Sequence, residues 1–114
     1  MQHMKKQPIT MVRGTTNTIR VTVADTDGNP YALSGGNRLI FGVKTNLNNS
    51  NCCIKKVITE GTGVYEFRLS PADTEHLPCQ TLRYDVGLQI GQDYFPVIPC
   101  SPFTLMPNVT GREV

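Results

Sequence analysis

Apolar and polar residues alternate along most of this chain. Ile19, Val21 and Val23 alternate with Arg20 and Thr22, and Leu39, Phe41 and Val43 with Ile40, Gly42 and Lys44. Tyr65, Phe67 and Leu69 alternate with Glu66 and Arg68, and Leu82 through Ile90 alternates without a break. A period of two places one set on one face, as a half-buried antiparallel strand requires. A helix would scatter the same residues around its circumference.

Turn residues separate the runs. Asp25-Thr26-Asp27-Gly28-Asn29-Pro30 and Ser34-Gly35-Gly36-Asn37 are tight polar reversals. Asn46–Asn51 is a polar loop, and Gly61-Thr62-Gly63 and Gly91-Gln92-Asp93 are hairpin breaks. The pattern predicts strands over about 8–12, 17–24, 38–45, 52–59, 64–69, 81–90 and 94–105. Short strands with regular turns suggest a sandwich or small barrel. Ser70 through Leu77 predicts one helical turn, with Ser at the N-cap, Pro71 at the first helical position and Pro78 closing it. It is expected to carry the chain across the end of the domain.

The last segment is unusual because Pro96, Pro99 and Pro102 all lie in it. Proline cannot donate to a strand ladder. Tyr94–Ile98 is therefore expected to pair with the preceding strand. The chain is then expected to kink near Cys100–Pro102, with Phe103–Leu105 taking a new direction. The eight aromatics (Tyr31, Phe41, Tyr65, Phe67, Tyr84, Tyr94, Phe95 and Phe103) read as core.

Composition changes little in this picture. The 114 residues fit one domain, residues 1–114, with 1–7 expected to be mobile. Eleven basic against nine acidic side chains leave +2, too weak to argue for nucleic acid or an anionic membrane. Lys5 and Lys6 are not followed by the roughly 7–15 apolar residues of a signal peptide. No run approaches the roughly 18 of a spanning helix, so a soluble protein made in the cytoplasm is expected.

Candidate chemistry is sparse. Asp25-Thr26-Asp27-Gly28 resembles the start of a calcium loop, but Gly36 stands where the twelfth-position glutamate belongs and strands flank it. A hairpin turn is the better reading. Cys52 and Cys53 are adjacent and face opposite ways on a strand, and His76 with Cys79 has no second ligand pair, so no zinc site is assigned. If Ile90 and Tyr94 flank the last turn, Cys100 lies near Tyr84 and Cys79 about 16 Å further along, too far for a disulfide. Reduced thiols are expected. Asp73 and Glu75 beside His76 read as first-turn charges. Lys55 and Lys56 read as charges on a solvated or edge strand. No nucleophile elbow, zinc-protease motif or phosphate loop occurs, so catalytic, cofactor and metal residues are all assigned as none and the chain is read as not an enzyme.

Four stretches, in order, resemble an immunoglobulin-like module of tailed-phage tail and baseplate proteins, such as the N-terminal domain of siphophage upper baseplate proteins. They are Ile9–Asn17, Asp25–Leu33 continuing to Leu39–Lys44, Leu69–Thr74 leading through Leu77-Pro78 to Leu82–Val86, and Phe103–Thr110. The resemblance implies an all-β, immunoglobulin-like antiparallel sandwich of about seven strands. It implies a non-catalytic structural module in a virion, docking onto other tail or baseplate proteins, with a homo-oligomer compatible with that role. It carries no cofactor. The family domain usually precedes a longer region, whereas this sequence stops at Val114. The alternative reading is a carbohydrate-binding or adhesion sandwich, which would need an exposed aromatic strip or a calcium loop.

Overall fold

The computed structural model describes residues 5–113. It is all-β apart from one helical turn. The strands are β1 (Ile9–Val12), β2 (Asn17–Thr22), β3 (Arg38–Lys44), β4 (Ile54–Ile58), β5 (Val64–Leu69), β6 (Thr81–Ile90) and β7 (Asp93–Met106). The helix α1 (Pro71–Thr74) lies between β5 and β6.

Five strands form one mixed sheet in the order β1-β7-β6-β3-β4, and β2 pairs with β5 in a second sheet. The parallel member is β1, with Ile9 opposite Phe103 and Val12 opposite Met106. Strictly alternating residues supply the core. Leu39, Phe41 and Val43 of β3 lie beside Leu82, Tyr84 and Val86 of β6 on the inner face of the large sheet, and Tyr65, Phe67 and Leu69 of β5 supply the inner face of the small one, all essentially buried. Phe41 sits at the centre, with its ring 5.5 Å from those of Phe67 and Tyr84 and 6.4 Å from Phe103. Phe67 belongs to the small sheet and the other three to the large one, so these rings join the two sheets. Each fully buried side chain of this size contributes roughly 1.5–3 kcal/mol.

The crossover is made by α1, as its local sequence requires. Pro71 opens the turn where no amide partner is needed. The Asp73 carboxylate accepts from the Ser70 backbone N–H at 2.7 Å and from its hydroxyl at 3.2 Å. Thr74 is fully buried, and its Oγ1 accepts from Gly14 N at 2.8 Å, tying the turn to the end of β1.

Two expectations need correction. First, β7 does not kink away at Cys100–Pro102. It runs unbroken for 14 residues, and Phe103 still opposes Leu82. Two register shifts absorb extra residues, so Ser101 rather than Cys100 stands opposite Tyr84. The prolines are tolerated because β1 covers β7 only from Phe103 to Met106, leaving the stretch before it as a free edge. Second, Tyr94 and Phe95 are not core: they are 53% and 49% exposed near the hairpin tip. Gln7 is hydrogen-bonded through both its backbone groups. Its N–H donates to Ser101 Oγ at 3.1 Å, and its carbonyl accepts the Tyr84 hydroxyl. Of the segment expected to be mobile, residues 1–4 lie outside the described residues.

Candidate functional site: the outer face of the large sheet

The residues that point away from the core on β3, β4, β6 and β7 form one continuous surface. Register defines it. Val57 opposes Ile40, Ile40 opposes Gly87, and Gly87 opposes Pro96. That is an apolar row across four neighbouring strands, about 14 Å long at ~4.8 Å per strand spacing. Val57 is 43% exposed. Tyr94 reaches diagonally from β7, and the hydroxyl end of its ring lies over Gly87, where a β-carbon would collide with it. Gly87 is buried beneath that ring while the tyrosine itself stays exposed.

Beside the row the surface dips into a shallow pocket of about 130 Å³. Its floor is Gly42, and its walls include Lys44, Leu47, Cys52, Arg83, Asp85 and Cys100. Gly42 opposes Asp85, and Cys52 Sγ comes within 3.0 Å of where a β-carbon on Gly42 would stand. The two small residues therefore make room for side chains from elsewhere to lie on the sheet.

The electrostatics of this face are mixed. Although Asp85 as a residue is exposed, its carboxyl lies deep enough in the pocket for burial to raise its pKa, with Lys44 opposing the rise. Burial also raises the Tyr94 hydroxyl, helped by the nearby negative charge of Asp85 and then by Cys52. Chemically the surface can form apolar contacts along the row and ion pairs around it.

Residues weighed in the sequence for other roles are placed elsewhere. Asp25 Oδ1 accepts from the Asp27 and Asn29 amides at 2.9 and 3.0 Å, so it closes its own turn. Glu75 forms a two-pronged pair with Arg112, 3.0 Å on each side. Asp73 meets Lys56 at 3.0 Å. Lys55 and Lys56 do lie on an edge strand, β4. His76 and Cys79 are exposed beyond α1. All four cysteines are free thiols; burial raises the Cys53 thiol, whose Sγ donates to Val43 O at 3.3 Å. Among the described residues no three His, Cys, Asp or Glu side chains form a group able to hold a metal.

Tyr94 is what the sequence reading missed. Two adjacent aromatics on one strand cannot both face inward, so Tyr94-Phe95 already carried the signal. No protein family, curated protein or solved structure matches this chain. Among the described residues no helix is long and apolar enough to cross a membrane.

Proposed function

We propose that this chain is a non-catalytic structural module of a phage or prophage tail or baseplate. It is built as an immunoglobulin-like β-sandwich and works in the virion by docking onto other tail or baseplate proteins. Two things support this reading. The four ordered stretches that resemble such modules fall on β1 and its turn, the connection into β3, the β5–α1–β6 crossover and the end of β7. The observation that carries the docking role is the apolar row Val57–Ile40–Gly87–Pro96, open to solvent at Val57 and Pro96 and covered at Gly87 by the exposed Tyr94 ring, since contiguous apolar surface marks interaction sites.

The test is quantitative mass spectrometry of particles purified from an induced culture of the source strain. A constant copy number per tail, retained through a density gradient, is expected. Its absence from purified particles contradicts the proposal.

The carbohydrate-binding reading gains one supporting observation, the exposed Tyr94 ring. Sugar faces stack on such rings. Micromolar glycan binding by calorimetry, abolished by Tyr94→Ala, would favour it over protein docking.

A further inference from the structure

We propose that the outer face of the five-stranded sheet docks a protein whose complementary surface is acidic around an apolar centre. This rests on the docking reading above and adds the face and the chemistry of the partner.

Charge is unevenly placed on the molecule. Arg38, Lys44, Lys55 and Arg83 sit at the outward positions of β3, β4 and β6, opposite in parity to the buried core residues. Asp85 is the single acid on the same face, and its carboxyl is partly buried in the pocket. The face therefore carries four cations and one acid. The chain has eleven basic and nine acidic residues in all, which leaves seven basic against eight acidic elsewhere. A near-neutral protein has gathered its excess positive charge on one side. Lys44 opposes Arg83 across neighbouring strands, so these two like charges repel in the free protein. An acidic partner relieves that repulsion.

The cations surround the apolar row rather than replacing it. Arg38 aligns with Gln89 and Tyr94 on one side of the row, and Lys55, Gly42 and Asp85 align on the other. An apolar centre with a charged rim is the anatomy of a protein interface. Nucleic acid would be met by a larger cation count and no apolar stripe. The free edge of β7 is a poorer docking element, because Pro96 and Pro99 have no N–H to offer an added strand.

The experiment uses the full chain in the strain that makes it, with a photoreactive benzoylphenylalanine at position 57 on the proposed face or at position 66 on the exposed side of β5. Crosslinked products are identified by mass spectrometry, and affinity for the purified partner is then measured. A protein captured from position 57 is expected. Its affinity should fall about tenfold or more with Lys55→Glu, and similarly with Tyr94→Ala, and should weaken between 50 and 500 mM NaCl as charge pairing is screened. Lys55 is exposed on an edge strand, so its variant folds; an unchanged thermal midpoint checks this. Capture from position 66 alone overturns the assigned face while leaving the docking function standing. Capture of a second copy of this chain, or of nucleic acid, overturns the assigned partner. Capture of nothing from either position removes the docking function itself. A partner from position 57 whose binding ignores salt and Lys55→Glu overturns the acidic chemistry.

Discussion

Tyr94 lies over Gly87, reaching diagonally across the β6–β7 pair to cover a backbone that has no side chain of its own. Glycine inside a strand costs roughly 0.5–1 kcal/mol relative to alanine, and the ring restores some of the lost packing. The two positions should therefore be coupled. Gly87→Ala alone is expected to be neutral or destabilising because it displaces the ring. In a Tyr94→Ala background it should stabilise. A double-mutant cycle by urea denaturation should show a coupling of about 1 kcal/mol; strict additivity would mean that the ring does not rest on the glycine.

The central ring gives a second prediction. Phe41 is fully buried and touches aromatics from both sheets. Phe41→Ala should cost about 3–5 kcal/mol in chemical denaturation, a large share of a small domain's stability. Met11→Leu, at the margin of the core, should cost less than about 1.5 kcal/mol.

Acid should act on two aspartates in opposite directions. Burial raises the Asp73 pKa, but hydrogen bonds from Ser70 and the charge of Lys56 outweigh it, so the net shift is downward. A depressed folded-state pKa gives stability present above the unfolded value near 3.9 and lost as pH falls through the folded value. Asp73→Asn should remove on the order of 1 kcal/mol at pH 7 and little at pH 2, read from urea midpoints. Asp85 is raised chiefly by burial. Its ionised form is disfavoured by folding, so Asp85→Asn should stabilise the protein at pH 7, with the gain vanishing below the unfolded pKa.

The thiols offer a fourth check. Cys52, Cys79 and Cys100 are exposed, whereas Cys53 is half-buried, bonded to Val43 O and raised in pKa by burial. A disulfide-exchange reagent at pH 8 should label three thiols quickly and the fourth slowly, with four after denaturation. Fewer than four would show a bond among them.

The alternation of Leu82, Tyr84, Val86 and Leu88 made β6 legible, and the same period placed β3 and β5 within a residue or two. What stayed hidden was non-local. Nothing in Ile9–Val12 says that its partner is Phe103–Met106, or that the pairing is parallel. Pro99 and Pro102 read as a break because a lone segment gives no sign of which edge is free. The outer face was half visible: Ile40, Gly42 and Gly87 break the polar set of their strands, but only the cross-strand register aligns them with Val57 and Pro96.

Lysine footprinting tests the docking claim most directly. The chain is acetylated free in solution and again within purified particles, and each lysine is quantified. Lys44 and Lys55 should react several-fold more slowly in the particle, while Lys56, at the opposite parity of β4 and paired with Asp73, should change little. Equal reactivity of Lys44 and Lys55 in both states would contradict the account.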